Sequence, residues 1–270
     1  MLPHTCVTQQ PGGMMATMQA AVPRGQADFD RTMPHDRTAV LVAIGVLWFA
    51  LLSGFIPDML KIAGDPTAKP YEPITHLHAL LAFGWMALLT WQAGRVRVGD
   101  IAGHRRTGRR FGPAMAAAVT VTALGTVWAA DRARLVLGGI KIERLSFQLG
   151  HIIPFAVLTA AALLMTRQPG AHKRLMILAV AAITDTGFSR WLGPQIKTLL
   201  GDGPATEMLG RFPIAWGLIL AMAAYDLYSR GRLHPVFLPA AGLIIGTELV
   251  SLWLYLSPWW PAVATQMIGG

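Results

Sequence analysis

Seven long apolar runs, at roughly 37–57, 74–94, 112–130, 147–167, 174–192, 211–229 and 235–256, alternate with short segments rich in arginine, glycine and proline. Each run approaches the ~20 residues that a helix needs to cross a hydrocarbon core. In lipid every backbone N–H and C=O must be satisfied within the protein, so only helices or closed barrels span it. The runs are rich in Ala, Leu and Gly and lack the apolar–polar alternation of barrel strands. The pattern predicts an all-α, polytopic transmembrane helix bundle with about seven spans over 37–256. Residues 1–36 mix Gly, Pro, Gln and charge without periodicity and read as a disordered tail. They lack the compact basic–apolar–small pattern of a signal peptide, and Met14, Met15, Met18 and Met33 offer later starts. Residues 257–270 read as a short C-terminal tail.

Composition supports the membrane class: 53% of residues are hydrophobic and 14% charged, against about a quarter charged in soluble domains. The net charge of +9 would point to nucleic acid in a soluble protein, but no binding motif accompanies it. Fourteen of the 23 basic residues fall on one side of the bundle if the N-terminus is cytoplasmic, leaving nine on the other. The 95–110 loop casts the strongest vote, and the four basic residues of 131–146 count against it. This asymmetry predicts a cytoplasmic N-terminus and a C-terminus on the outer side of the membrane. Trp128, Trp191, Trp253, Trp259 and Trp260 then fall near the outer boundary, as an aromatic belt does. The single cysteine, Cys6, excludes an intrachain disulfide or a thiolate metal site.

Ionisable groups inside spans cost roughly 2.5–3.5 kcal/mol at the centre, so each is a functional candidate. His78 and His151 lie near the outer ends of the second and fourth runs. Asp185 and Glu248 lie in the outer halves of the fifth and seventh. His76 and His78 point about 200° apart on a regular helix, so one site takes only one of them. His78 shares its face with Trp85 and Gln92, whereas His76 shares a face with Leu80, Phe83 and Ala87 and reads as lipid-facing. Gln148, His151 and Phe155 form one stripe, Asp185 and Ser189 another, and Glu248, Ser251 and Tyr255 a third. These stripes predict a polar pocket open to the outside, with Arg190 snorkelling outward or covering it. His104 and His172 stand in basic loops suited to structural or headgroup roles. His234, before Pro235, marks a turn. Each of these residues also has a plain structural reading, as an interfacial histidine or a helix–helix hydrogen-bond partner.

A weak internal repeat pairs His76/His78 and Gly103-His104-Arg105-Arg106 with His151 and Ala171-His172-Lys173-Arg174. The segments Ile74–Gln92, Gly103–Gly112, Ala171–Ala179, Asp185–Trp191 and Tyr225–Pro235 resemble a widespread, uncharacterised family of bacterial multi-pass inner-membrane proteins. That resemblance covers roughly 71–256 and implies topology and localisation but no chemistry. A fainter one, to cytochrome b561-like bundles, implies haem b between histidines of neighbouring helices, with His78/His151 and His104/His172 as the analogous pairs. The 26 residues from His78 to His104 would span about 39 Å as helix, beyond the ~30 Å core, which favours one haem on His78 and His151.

Four functions remain open. One is a redox protein with haem b, or a metal on His78, His151 and Asp185, exchanging electrons with a quinone or another redox partner. The second is a small proton-coupled transporter in which Asp185, Glu248 and Arg190 line the site. A membrane hydrolase is the third, although neither HExxH nor GxSxG is present. The last is an accessory subunit without chemistry.

Overall fold

The computed structural model describes residues 29, 33, 35–67, 71–136 and 141–269; the expected N-terminal tail and its alternative starts lie almost wholly outside them. Every regular element among the described residues is a helix. In chain order they are α1 (Asp36–Ala63), α2 (Pro73–Arg97), α3 (Ile101–Val136), a 3₁₀ turn (Ile142–Arg144), α4 (Leu145–Leu164), α5 (Pro169–Trp191), α6 (Gly193–Leu200), α7 (Pro204–Leu209), α8 (Pro213–Arg230), α9 (Phe237–Leu256) and α10 (Trp260–Gly269).

Five of these helices are long and apolar enough to cross a membrane, and six segments are if the bent pair α5–α6 is one span. The sequence pattern gave seven runs. The difference has a local cause. α5 carries Lys173, Arg174, Asp185 and Arg190, and a bend of 63° separates it from α6. α8 is only 18 residues long and carries Asp226 and Arg230 in its last turns. α3 extends well beyond the run at 112–130, because Arg, Ala and Leu all favour helix and the arginines of Ile101–Arg110 lower hydropathy without ending the helix.

α5 is the central helix. It packs on α1, α4, α8 and α9, and its buried residues lie on all sides, Ala179, Val180, Ala181 and Ala182 among them. A helix buried on all sides belongs inside a bundle, and small side chains let its neighbours come close. The closest approach is at Gly54 and Gly187: a Cβ on Gly54 would overlap the backbone of Gly187, and one on Gly187 would overlap Ala50 and Leu51. Gly187→Leu must therefore push α1 off α5. The expected loss is about 3 kcal/mol, seen as a lower unfolding midpoint in detergent.

Hydrogen bonds tie the remaining helices to this centre. Trp48 Nε1 donates to Thr90 Oγ1 at 2.9 Å between α1 and α2. The segment read as a trailing tail holds α10, whose Trp260, Ala264 and Ile268 pack on Ile142 and Leu145. Trp260 Nε1 donates to the Glu143 carbonyl at 3.1 Å. Trp260 is thus buried, whereas Trp128, Trp253 and Trp259 are exposed as an interfacial belt requires.

The arginine-rich end of the bundle is locked by charge. Asp36, 4% exposed, accepts from Lys173 Nζ, Arg230 NH2 and the Tyr225 hydroxyl, each at 2.7 Å. Beside it the buried Arg174 and Asp226 form a two-point pair, with Arg174 Nε donating at 2.8 Å, and Arg174 also donates to the Gly170 carbonyl at 2.7 Å. Phe29 covers this cluster, its ring under Arg174 and Arg230 and edge-on to His234.

Candidate functional site

Three ionisable side chains meet at the opposite end, between α4, α5 and α9. His151 is 6% exposed, Asp185 0% and Glu248 1%. His151 Nε2 stands 3.6 Å from Asp185 Oδ2, too far for a hydrogen bond. The Asp185 and Glu248 carboxyl groups lie within hydrogen-bonding reach of each other. Glu248 Oε2 accepts from Trp216 Nε1 at 2.6 Å. His151 Nε2, both Asp185 oxygens and Glu248 Oε1 are buried without a full hydrogen bond; the Ala215 N–H, in the first turn of α8, is the one backbone donor near Asp185.

The local sequence explains how such groups come together. A Cβ on Gly150 would overlap Ser251 Oγ and stand 3.4 Å from the Thr247 carbonyl. A glycine there lets α4 and α9 close until His151 and Glu248 share one layer. Pro154, inside α4, has no N–H for the Gly150 carbonyl, so the turn bearing His151 lacks one backbone bond. Asp185 sits one helical turn from Ser189 and two residues before Gly187, on the helix that every neighbour presses against. Arg211 and Arg190 are the cations whose fields reach His151. Arg211 is tied to Glu207 at 2.7 Å and lies over Phe147.

Arg190 does not cover the cluster with its charge free. Its Nε is 3.4 Å from Asp58 Oδ2 and its guanidinium lies over Phe55. It lines a cavity of about 340 Å³ with Gly54, Pro57, Asp58, Lys61 and Pro194. Gly54 abuts Gly187, so this cavity lies on the α1 face of α5, about 200° round the helix from Asp185. Beyond the bundle, Lys197 Nζ stands 2.6 Å from Asp202 and holds that carboxyl below the usual range; the pair is exposed and contributes little.

Of the two histidine pairs that the resemblance implies, His78/His151 and His104/His172, the rings of the second meet. His78 is half-buried and its Nδ1 lies 3.2 Å from Thr122 Oγ1 on α3. His76 is exposed and edge-on to Tyr71, the outward orientation its face implied. Trp85 and Gln92, on the His78 face, are both buried. The two rings that meet are His104 and His172, edge-on with centroids 6.2 Å apart. His172 Nδ1 faces the Ala162 carbonyl at 2.8 Å. The Gln92 amide, oriented to satisfy both its ends, donates to His104 Nδ1 at 3.0 Å and accepts from the Gly108 N–H at 2.8 Å. Among the described residues no three His, Cys, Asp or Glu side chains are grouped to hold a metal ion, His78, His151 and Asp185 included. His234 is buried in the turn between α8 and α9, where its Nδ1 accepts from the Val236 N–H at 3.1 Å.

Comparison with family models, with curated proteins and with solved structures finds no match.

Sequence reasoning passed over Asp36, Tyr225 and Asp226. Lys173, Arg174 and Arg230 were counted only as orientation signals, although the structure turns all three inward. The signal for Asp226 was present: an acid in the last turns of an apolar run requires a partner.

Proposed function

We propose that this integral membrane protein is a proton-coupled transporter of the bacterial inner membrane. Its seven longer helices then form the spans, with the arginine-rich end in the cytoplasm. The observation that carries the reading is the sealed cluster of Asp185, Glu248 and His151 with its unpartnered atoms. Carboxylates accept hydrogen bonds and donate none. Two of them in contact, with the Trp216 N–H on one and the Ala215 N–H beside the other, fit a proton held between them, as in paired acids elsewhere. His151 Nε2, at 3.6 Å, is placed to take that proton through one water or a small side-chain shift.

Infrared spectroscopy and flux test this together. The wild-type protein should show a carboxylic-acid C=O band at neutral pH that disappears in Asp185→Asn or Glu248→Gln. In liposomes carrying an internal pH dye, an imposed pH gradient should drive proton flux that falls at least tenfold in both variants. A band and a flux unchanged by either substitution reject the reading.

The spacing of His104 and His172 favours a second reading, a redox centre with one transition metal or haem b iron. Two imidazoles on one metal at about 2.0–2.1 Å would place collinear ring centroids roughly 6.2–6.4 Å apart. This reading needs the Gln92 amide reversed, so that His104 carries its proton on Nδ1 and frees Nε2. Neither described cavity lies beside these rings, so a porphyrin fits less readily than an ion. A reduced-minus-oxidised visible spectrum and metal analysis of the purified protein, each repeated on His172→Ala, decide it: no signal lost with His172 removes the reading.

A further inference from the structure

A groove of about 460 Å³ runs between α2 and α3. α2 lines it with Gly84, Ala87, Leu88 and Trp91, and α3 with Phe111 and Met115. The four α2 positions follow the i, i+3, i+4, i+7 spacing of one helix face. From Gly84 to Trp91 this face runs seven residues, about 10 Å of helix. The Gly84 end is narrow, since a Cβ there would stand 3.0 Å from Met115 Cε. At the other end Trp91 and Phe111 are 50% and 46% exposed. The volume falls in the range of small-molecule sites, roughly 300–1,000 Å³, and the walls are apolar throughout.

The Trp91–Phe111 end is cationic. The Arg95 guanidinium lies over the Trp91 ring, 4.4 Å from its centroid, and the Arg110 guanidinium over Phe111 at 5.4 Å. A ring face holds a cation in place without neutralising it. From Arg95 to Ala130 the sequence has six arginines and one acid, Asp100, and Asp100 is paired with Arg95. α2 contains no acid, and the one in α3 is Asp131, 21 residues beyond Arg110. Arg110 is exposed and stands where the apolar run of 112–130 begins, the depth at which headgroups meet hydrocarbon.

The two halves of the groove ask for two chemistries in one molecule. A purely apolar occupant leaves the guanidinium without an anion. A small free anion leaves the apolar slot empty. Guanidinium groups match phosphate oxygens in a fork geometry, and basic pockets between spans hold anionic lipid headgroups. We propose that the α2–α3 groove binds one anionic phospholipid, with an acyl chain along Gly84–Trp91 and the headgroup phosphate on Arg110 beside Arg95. The site is separate from the acidic cluster, whose side chains come from α4, α5 and α9.

Native mass spectrometry of the full chain in detergent tests this. Phosphatidylglycerol and phosphatidylcholine with the same acyl chains are supplied at equal concentration, so the lipids differ in net headgroup charge. The protein should retain one phosphatidylglycerol, at least tenfold over phosphatidylcholine. Arg110→Gln removes the headgroup contact, and Ala87→Leu fills the slot from an exposed position without altering charge. Each should lower retention at least fivefold. Arg106 and Arg109 point about 140–160° away from Phe111 on the helix, so Arg106→Gln with Arg109→Gln should retain the lipid as the wild type does. Equal retention of the two lipids, full retention in Ala87→Leu, or the same loss in the Arg106/Arg109 double variant as in Arg110→Gln overturns the site and leaves annular lipid drawn by diffuse charge. A second measurement needs no variant at the arginines. Phosphatidylglycerol brominated on its acyl chains should quench tryptophan fluorescence in the wild type more than in Trp91→Phe, and equal quenching in the two overturns the placement of the chain.

Discussion

Asp226→Ala should be the most destabilising single substitution in the bundle, with a loss of about 3–5 kcal/mol. Asp226 is 0% exposed and Arg174 3%. Removing the carboxylate leaves a guanidinium without its counter-charge in a low-dielectric interior. It also removes the acceptor for the His234 N–H, 3.4 Å away. A surface pair would lose under about 1 kcal/mol on the same change, so the magnitude separates the two cases. Unfolding in mixed micelles, followed by circular dichroism, reads it. Arg174→Met in the Asp226→Leu background should recover most of the loss, because an apolar pair of similar volume avoids the desolvation cost that both ions bear. If Asp226→Ala unfolds within about 1 kcal/mol of the wild type, the pair is solvated and contributes little.

This lock also shows what the sequence could not convey. Hydropathy placed the helices well, because lipid forces each span to be a continuous apolar run. Periodicity placed faces equally well: His78, Trp85 and Gln92 turn inward while His76 and Leu80 turn out. Three acids and bases stranded in apolar runs marked His151, Asp185 and Glu248, and those three do meet. Partner choice was beyond reach. Asp36 meets Lys173 and Arg230 across 137 and 194 residues, and nothing local in α1 announces them. Basic residues near helix ends serve orientation so commonly that the inward-turned ones look the same in sequence. His78 has the depth of His151, but which neighbour it faces depends on how α2 rolls against α3, and Thr122 decides that.

Asp185→Val should raise stability while abolishing proton flux, and this opposition separates a working site from a packing contact. A residue kept for packing loses stability when its partners are removed. Asp185 has few such partners to lose: its carboxyl meets the Glu248 carboxyl and the Ala215 N–H, and His151 Nε2 stands beyond hydrogen-bonding distance. Leaving such a group buried costs about 1–3 kcal/mol, and an apolar side chain of similar size recovers that amount. Glu248 keeps its bond from Trp216 in the variant, and the loss of the Asp185 contact at its other oxygen is the one cost set against the gain. The unfolding midpoint should rise by several degrees, at about 2–4 °C per kcal/mol for a chain of this class. Function held at the expense of stability is what active sites show when a preorganised but unsatisfied arrangement does the chemistry. A midpoint that falls in Asp185→Val, with flux unaffected, would place the cluster among ordinary helix contacts and favour the accessory-subunit alternative. A midpoint that rises with flux lost would mean that the bundle retains an acid whose only return is the proton it carries.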